Sequence, residues 1–189
     1  MDLLGKKIIQ PSSSEWAAAP VICMKKDGKI RYCMDYRKLN SVTHKDALPL
    51  PRIESCIDQL RGTTFISCLD ISSGYYKFQI HTDDRHKTAF LTKYGLFEHA
   101  RLSFGLCNTQ EFFQREMQLI MSGLTCSQCF AYLDDVIVIG NNFQDRLRNL
   151  TFVIERFQEN NLKLKSKKCS IFKKEVVYLG NWYQKRKFQ

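Results

Sequence analysis

CFAYLDDVIVIG, the stretch from residue 129 to residue 140, carries two runs of apolar and β-branched residues on either side of Asp134 and Asp135. Two such runs with turn-tolerant residues between them predict a tight hairpin with both carboxylates at its tip. The pair alone fits an ordinary turn as well as a functional site. However, flanks this hydrophobic put the tip on a packed sheet, where neighbouring negative charges raise each other's pKa unless a cation neutralises them. A divalent ion would neutralise both.

A third carboxylate follows another apolar strand. Residues 65–70, FISCLD, are typical of a buried strand that ends in Asp70. If that strand pairs beside the hairpin, three carboxylates converge at one edge of a sheet. Oxygen-only ligands suit Mg²⁺ or Mn²⁺, and two such ions about 3.5–4 Å apart support an in-line displacement at phosphorus. Polymerases and nucleases both use this arrangement, so the residues leave both classes open.

A second acidic pair has a different setting. Asp83 and Asp84 lie near His81 and His86, which superficially resembles a ligand cluster. The neighbouring residues are polar on both sides, so nothing would hold these side chains in one coordination geometry. We interpret this segment as a solvated polar turn.

The composition indicates a folded protein that binds a polyanion. The 189 residues are 44% hydrophobic, and 29 Lys and Arg against 19 Asp and Glu give a net charge of +10, so nucleic acid is the expected partner. No apolar stretch approaches the roughly 18 residues of a spanning helix, so we expect a soluble protein without a membrane partner. The eight cysteines mostly lie in apolar runs, which favours a reducing, intracellular compartment, cytoplasmic or nuclear. Cys126 and Cys129 form a C-x-x-C without a companion pair, so a zinc site is not favoured.

The remaining periodicity predicts strands interleaved with a few helices, which is typical of an α+β fold. In the helix near residue 150, apolar residues that recur every three or four positions are expected to form one buried stripe. Its members are Phe143, Leu147, Leu150, Ile154 and Phe157. The predicted elements are a hairpin over 21–34 with a two-residue turn at Asp27-Gly28, a helix over 53–60, a second hairpin with its turn near Gly95, a helix that begins at Asn108, and a helix over about 143–160.

The first hairpin has a basic tip that contains Lys25, Lys26, Lys29 and Arg31. A lysine-protected, solvated edge hairpin is the simpler interpretation. A cationic finger that lies over phosphates is the alternative.

The order of several motifs resembles the reverse transcriptase of gypsy-type LTR retrotransposon Pol polyproteins, and the likeness covers nearly the whole chain. The motifs are MKKDGKIRYCMDYRKLN, LPLPRI, LDISSGYYKFQI, KTAF, LSFGL, FFQR, YLDDV, LKLKSKKC and YLG. The resemblance implies the α+β fingers and palm of a reverse transcriptase, with an antiparallel palm sheet backed by helices and with the thumb absent. The fingers would take about residues 1–65 and 85–105, and the palm about 66–84 and 106–189.

The resemblance also implies roles for particular residues. Asp70, Asp134 and Asp135 would be the catalytic carboxylates and, with the Ile71 carbonyl, would hold two Mg²⁺ or Mn²⁺ ions. The residues that match nucleotide-binding positions are Lys25, Lys26 and Arg31 of the finger hairpin, Ser72, Ser73, Gly74, Tyr75 as the aromatic gate against a ribose 2′-hydroxyl, and Phe104. The residues that match template-primer contacts are Arg37, Asn40 and Tyr132.

The function implied is RNA-directed DNA polymerase activity. Such a nucleotidyltransferase adds deoxynucleoside triphosphates to a primer 3′-hydroxyl on an RNA or DNA template, and the chain would once have been part of a larger Pol polyprotein. Departures from the family pattern include Gln110 in place of a usual proline, Lys77 in place of glutamine, and NWYQKRKFQ after YLG, which lacks the expected histidine. A truncated retroelement fragment that only binds nucleic acid is therefore the alternative. A two-metal nuclease shares the carboxylates, but the finger hairpin and Tyr75 argue against it.

Overall fold

A computed structural model describes residues 2–24, 28, 30–52, 66–124, 128–173, 175–178 and 181–184, with backbone alone for 30–32 and the last two segments. The strands are β1 (Ile9–Pro11), β2 (Pro20–Met24), β3 (Ile30–Met34), β4 (Ile66–Asp70), β5 (Phe90–Thr92), β6 (Gly95–His99), β7 (Cys129–Tyr132), β8 (Asp135–Val138), β9 (Ser170–Lys173), β10 (Glu175–Tyr178) and β11 (Asn181–Gln184). The α-helices are α1 (Arg37–Val42), α2 (Thr82–Arg85), α3 (Thr109–Ile120) and α4 (Phe143–Glu159). Short 3₁₀ turns span Gly74–Lys77, His86–Thr88 and Ser166–Lys168. Helices among antiparallel strands confirm the predicted α+β class.

The chain divides into two compact units. The first unit comprises Met1–Asp46 and Tyr75–Gln110, and the second comprises Ala47–Gly74 and Glu111–Gln189. The predicted division into fingers and palm concerns roles, so it stays a prediction. Within the described ranges, none of the helices combines the length and apolar character that crossing a bilayer requires.

The first unit contains a three-stranded sheet in the order β1-β6-β5 and a separate β2-β3 hairpin. Thr92 pairs with Gly95 at the end of the β5-β6 hairpin, which confirms the predicted turn near Gly95. The β2-β3 hairpin is also confirmed, and its last described pair is Met24 with Ile30. Of the predicted two-residue turn, Asp27 lies outside the described residues, and Gly28 has a left-handed φ of 75°.

A buried polar cluster organises the first unit. The Tyr36 hydroxyl donates to the Thr88 carbonyl over 2.8 Å and lies 3.0 Å from Nδ1 of His99. The Thr88 hydroxyl in turn accepts from the His99 backbone N–H. Burial lowers the pKa of His99 to about 4, so the ring is neutral at physiological pH. The two contacts of Tyr36 join residues 52 and 63 positions apart in the sequence, so the cluster fixes the packing of β6 against its neighbours.

The second unit is built on a four-stranded antiparallel sheet in the order β7-β8-β4-β9. Its two central strands are β8 and β4, whose residues Val136, Ile137 and Leu69 are fully buried. The sulfur atoms of Met121, just after α3, and Cys129 in β7 lie 4.0 Å apart, so the helical side of the sheet is the face that carries Cys129. The other face carries Phe130, Ile137 and Ile66, which form a small apolar cluster. Because side chains alternate along a strand, Asp70 and Asp135 lie on this second face.

Helix α4 is confirmed at its predicted position, and Asn142 caps it by accepting from the Asp145 N–H over 2.8 Å. The predicted stripe is wrong at its N-terminal end, because Phe143 and Leu147 are 55% and 48% exposed. The face that packs inward instead includes two polar side chains in the first half of the helix. The buried residues of α4 are Arg146, Asn149, Leu150, Val153 and Phe157.

A hydrogen bond explains why the buried face of α4 differs from the predicted stripe. The Asn149 side-chain amide donates to the Ile139 carbonyl over 2.7 Å, at the end of β8. Close approach of the helix nearby requires a residue without a side chain, because a Cβ on Gly140 would lie 2.6 Å from Cγ of Arg146. Satisfying the strand carbonyl therefore turns Asn149 inward and leaves Leu147 at the surface.

Two other predictions have different outcomes. The helix predicted over 53–60 lies outside the described residues. The polar turn predicted at Asp83-Asp84 is wrong in conformation, because the segment forms α2. The His81 ring accepts from the Asp83 N–H, and Asp84 is ion-paired with Lys87 at 2.6 Å. The segment is solvated, as expected, since residues 81–84 are all exposed.

Two Leu→Ala substitutions in α4 test which face of the helix is buried. We expect Leu150→Ala to lower the free energy of unfolding by about 2–5 kcal/mol, because Leu150 is 7% exposed and its removal leaves a cavity. Leu147→Ala, in the same helix, should cost less than about 1 kcal/mol. Urea unfolding followed by circular dichroism measures both, and equal losses would contradict the observed helix orientation.

Candidate active site

The strand register brings two of the predicted carboxylates together. Asp70 ends β4, Asp135 begins β8, and the two are direct antiparallel partners. The Cα atoms of such partners lie about 4.5–5.5 Å apart, with both side chains on the same face. Asp70 is 8% exposed and Asp135 is half-buried. The predicted pairing of the Asp70 strand beside the hairpin is therefore confirmed, and it brings two of the three predicted carboxylates side by side.

The hairpin turn differs by one residue from its prediction. Tyr132 pairs with Asp135, so the turn consists of Leu133 and Asp134 rather than the two aspartates. Asp134 is exposed at the tip, and its carbonyl accepts from the Ile71 N–H over 2.9 Å. This bond ties the turn to the residue that follows Asp70. Asp135 is consequently a strand residue, and its side-chain direction is set by the sheet.

Leu133 occupies a left-handed conformation, with φ of 51°. A branched residue there costs on the order of 1–3 kcal/mol, and it persists only where the surroundings determine it. Gln114 of α3 holds the turn in this conformation through two hydrogen bonds. It is 1% exposed, it accepts from the Leu133 N–H over 2.8 Å, and it donates to the Ala131 carbonyl over 3.0 Å. Gln114 is thus a positioning residue for the turn that carries Asp134.

The opposite side of Asp70 is fixed by the segment 163–168. The Lys165 N–H donates to the Asp70 carbonyl over 2.9 Å, and the Ser72 N–H donates to the Lys163 carbonyl over 2.6 Å. The Lys168 ammonium then reaches Asp70 Oδ2 at 2.7 Å. The hydrogen bond to Asp70 raises the pKa of Lys168, so the lysine is charged at neutral pH.

The carboxylates act on one another electrostatically. Burial, followed by the charges of Asp134 and Asp70, raises the pKa of Asp135 to about 6, and Lys168 opposes the shift. A carboxyl group with such a pKa is destabilised in its charged form. Any added cation close to the three side chains would relieve that destabilisation.

The donor set fits a hard divalent cation by its chemistry, since it consists of carboxylate oxygens on a partly dehydrated face. The side-chain conformations of the described carboxylates do not form a complete set of metal ligands. Among the described residues, no group of three or more His, Cys, Asp or Glu side chains has an arrangement that could hold a metal ion. Asp70 directs Oδ2 to Lys168 instead. The two predicted ions and the Ile71 carbonyl contact therefore stay predictions.

The segment after β4 packs closely on α3. Ser73 is exposed with a left-handed φ of 54°, and Gly74 is buried. A Cβ on Gly74 would lie 2.6 Å from Cζ of Phe113, so the position accepts glycine alone without a shift of that ring. The predicted roles of Ser72, Ser73 and Gly74 in nucleotide binding stay predictions.

Two predicted nucleotide contacts are neighbours within the first unit. The rings of Tyr75 and Phe104 lie 4.8 Å apart between centroids, at an interplanar angle of 82°. Tyr76 also approaches Phe104 edge-on, at 6.3 Å. This edge-to-face geometry restrains the Tyr75 ring.

The predicted template-side residues have partners within the chain. Arg37 is 90% exposed and is paired with Asp35 through two nitrogens, which holds the pKa of Asp35 down to about 2. Asn40 donates to the Gly105 carbonyl over 2.8 Å and accepts from the Cys107 N–H over 2.9 Å. Asn40 therefore fixes the loop after Phe104, and a template contact would be a second role.

The remaining predicted residues are less defined. Tyr132 is half-buried against the apolar cluster of the sheet, where it could serve as core or as a primer contact. Lys25 and Lys26 lie outside the described residues, as does Cys126 of the C-x-x-C. Arg31 is described only as part of the β3 backbone.

The sequence interpretation missed Gln114 and Lys168. Gln114 precedes Met117 by three positions and Met121 by seven, so it interrupts the apolar face of α3, and that polar interruption could have revealed it. Lys168 stands in a run with Lys163, Lys165 and Lys167, and nothing in the pattern distinguishes it from them.

Comparison with known proteins gives consistent matches. Residues 23–183 match the family profile of reverse transcriptase (RNA-dependent DNA polymerase). The chain is 40% identical over 185 residues to the retrovirus-related Pol polyprotein from transposon 412 of Drosophila melanogaster, and 33% identical over 184 residues to that from transposon gypsy. These alignments cover 95% and 94% of this chain but only 15% and 18% of the two polyproteins.

Solved structures match in fold. The foamy viral protease-reverse transcriptase in complex with dsDNA superposes with a TM-score of 0.90 at 22% identity, over 97% of this chain and 38% of that one. The same viral protein in complex with an RNA/DNA hybrid gives a TM-score of 0.86 at 21% identity, over 97% of this chain and 24% of that one.

Gln114 offers a direct test of the turn. We expect Gln114→Leu to lower the free energy of unfolding by roughly 1–3 kcal/mol, because the Leu133 N–H and the Ala131 carbonyl lose their partner. Gln118→Leu, on the exposed side of the same helix, should change it by less than about 0.5 kcal/mol. Urea titration of both variants measures the difference. A loss no larger than that of the control would mean that Gln114 does not support the turn.

Because the pKa of Asp135 is raised, we expect a neutral side chain at this position to make the folded chain more stable at high pH. Ionisation of Asp135 weakens the folded chain as pH rises from the unfolded value near 3.8 through about 6. Without added metal, we expect Asp135→Asn to raise the free energy of unfolding by roughly 1–2 kcal/mol at pH 8, after allowance for solvent screening, and by nearly nothing at pH 4. Denaturant unfolding at the two pH values measures this, with the exposed Asp83→Asn as control. An equal effect at both would contradict it.

Proposed function

This chain belongs to the reverse transcriptase (RNA-dependent DNA polymerase) family, and from that premise we propose that it is the polymerase part of a retroelement Pol polyprotein. It would add deoxynucleotides to a primer 3′-hydroxyl, opposite an RNA or DNA template, and release pyrophosphate. The chain spans less than one fifth of the length of the Drosophila Pol polyproteins. The polymerase activity is therefore proposed for this chain and is not inferred from the complete polyproteins.

The observation that carries the proposal is the register between Asp70 and Asp135. It sets two carboxylates side by side on a rigid sheet, with Asp134 one residue away at the turn. Phosphoryl transfer depends mostly on positioning and charge stabilisation, and rigid strands supply positioning better than loops do. The raised pKa of Asp135 supports the same conclusion, because perturbed carboxyl groups concentrate at functional sites.

In this proposal Asp70, Asp134 and Asp135 hold two divalent ions. When bound, these ions would neutralise the phosphates, activate the primer hydroxyl and stabilise the leaving pyrophosphate. The chain itself contributes a fixed backbone on both sides of Asp70, through Ile71 and Lys165. It also contributes a turn held by Gln114, so that the carboxylates need little reorganisation during the reaction.

The other predicted residues complete the proposal. Tyr75, restrained by Phe104, would lie under the deoxyribose and exclude a 2′-hydroxyl. Lys25, Lys26 and Arg31 would bind the triphosphate, and Ser72, Ser73 and Gly74 would be further nucleotide contacts. Arg37, Asn40 and Tyr132 would contact the template and the primer. The net charge of +10 supports binding of the nucleic-acid backbone, which a polymerase must recognise without regard to sequence.

Primer extension tests the proposal. With an RNA template, deoxynucleotides and Mg²⁺, we expect the chain to extend a primer, and the double variant Asp134→Asn, Asp135→Asn to lose at least about a thousandfold in rate, because two ligands lose their charge. Asp83→Asn, Asp84→Asn is the matched control. It removes the same charge from an exposed acidic pair and should extend normally.

The outcomes separate the alternatives. Extension that survives the Asp134, Asp135 double variant would refute the catalytic assignment. If the unaltered chain fails to extend but still binds nucleic acid in a salt-sensitive way, the nucleic-acid-binding fragment is the correct description. Cleavage of the template without added nucleotides would indicate the nuclease.

A further inference from the structure

Lys168 has a position that the proposed chemistry does not use. Its ammonium lies 2.7 Å from Oδ2 of Asp70, and the carboxylate side chain is only 11% exposed. The lysine side chain is 57% exposed, so it reaches the carboxylate from the solvent side. Asp70, a proposed metal ligand on a central strand, is therefore already ion-paired with Lys168.

This placement is built into the backbone. The Lys165 N–H donates to the Asp70 carbonyl, and the Lys168 N–H donates back to the Lys165 carbonyl over 2.8 Å. These bonds fold residues 166–168 into a 3₁₀ turn immediately before β9. The same strand pairing places Ser170 opposite Cys68, two residues before Asp70. The root of the Lys168 side chain is therefore fixed, and only its flexible stem has to move.

Lys168 balances part of the negative charge of the carboxylate cluster. Asp70, Asp134 and Asp135 bring three carboxylates to one end of the sheet, and the Lys168 ammonium contacts Asp70, the most buried of them. A divalent ion would satisfy the same oxygen atoms with twice the charge. Two cations cannot share Oδ2 of Asp70 at contact distance, because their repulsion is strong on a partly dehydrated face.

We propose that Lys168 is a resident counter-cation that competes with the divalent ion for Asp70, so that metal binding requires its ammonium to withdraw. The inference rests on the proposed function, because it assumes that these carboxylates bind metal. Lys168 stabilises the carboxylates when no metal is bound and lowers their apparent metal affinity, since part of the binding energy is spent on breaking the ion pair.

Manganese binding tests the inference without any measurement of catalysis. Free Mn²⁺ is titrated by electron paramagnetic resonance against the unaltered chain, Lys168→Gln and Lys167→Gln. Lys167 is the exposed neighbour, so the two variants lose the same charge one residue apart. We expect Lys168→Gln to bind Mn²⁺ about threefold to tenfold more tightly than the unaltered chain, and Lys167→Gln to stay within about twofold of it.

A second measurement uses the unaltered chain and does not depend on how the variants fold. Acetylation of individual lysines by acetic anhydride, read by mass spectrometry, should accelerate severalfold at Lys168 when Mg²⁺ is added, because acetylation proceeds through a free, neutral amine and the bond to Asp70 holds the nitrogen as an ion-paired ammonium. Lys167 should keep its rate and serves as the internal reference.

The outcomes distinguish this inference from the proposed function. If Mn²⁺ binds the unaltered chain and is lost in Asp134→Asn, Asp135→Asn, but Lys168→Gln binds no more tightly than Lys167→Gln, the competition is refuted and the metal site stands. Unchanged acetylation of Lys168 at saturating Mg²⁺ would refute it equally. If none of the chains binds Mn²⁺, both proposals fail.

Discussion

The antiparallel pairing of Asp70 with Asp135 is the constraint on which the site depends. Two buried hydrophobic strands deliver carboxylates to adjacent positions of one sheet face, where like charges oppose each other and water is partly excluded. Packing of Leu69 and Val136 on the helical face holds the strands together in spite of that repulsion. The free energy of the core thus maintains an arrangement that the charges alone would not adopt.

Other parts of the second unit offset the cost of this arrangement. Gln114 satisfies the left-handed turn at Leu133, and Lys168 supplies a positive charge to Asp70. The bond from the Ile71 N–H to the Asp134 carbonyl joins the two strands beyond their last pair. These contacts come from separate parts of the unit, namely α3, the turn before β9 and the residue that follows β4. Accurate placement of the carboxylates is therefore a property of the whole unit.

The first unit offers an instructive contrast. Tyr36, Thr88 and His99 form a buried polar cluster whose hydrogen bonds are mutually satisfied, and His99 remains neutral. Such a cluster stabilises packing and leaves no unbalanced charge for a ligand. The carboxylates of the second unit range from buried Asp70 to exposed Asp134, and burial together with the charges of Asp134 and Asp70 raises the pKa of Asp135, so these charges do not balance one another. This difference distinguishes a self-satisfied structural cluster from the carboxylates proposed as the functional site.

The sequence by itself determined the family and the α+β class and singled out three carboxylates as the candidate site, because motif order, apolar runs and residue chemistry are local properties of the chain. Tertiary structure decided which residues form the turn, which face of α4 packs inward, and which of many lysines reaches Asp70. A shift of one residue at Leu133 is invisible in the pattern, yet it makes Asp135 a strand residue paired with Tyr132 instead of a turn residue. Asn149 turns inward only because the Ile139 carbonyl needs a donor, and Lys168 is selected only because β9 pairs with β4. Contacts of this kind join residues far apart in sequence, and their energies depend on distances that periodicity does not contain.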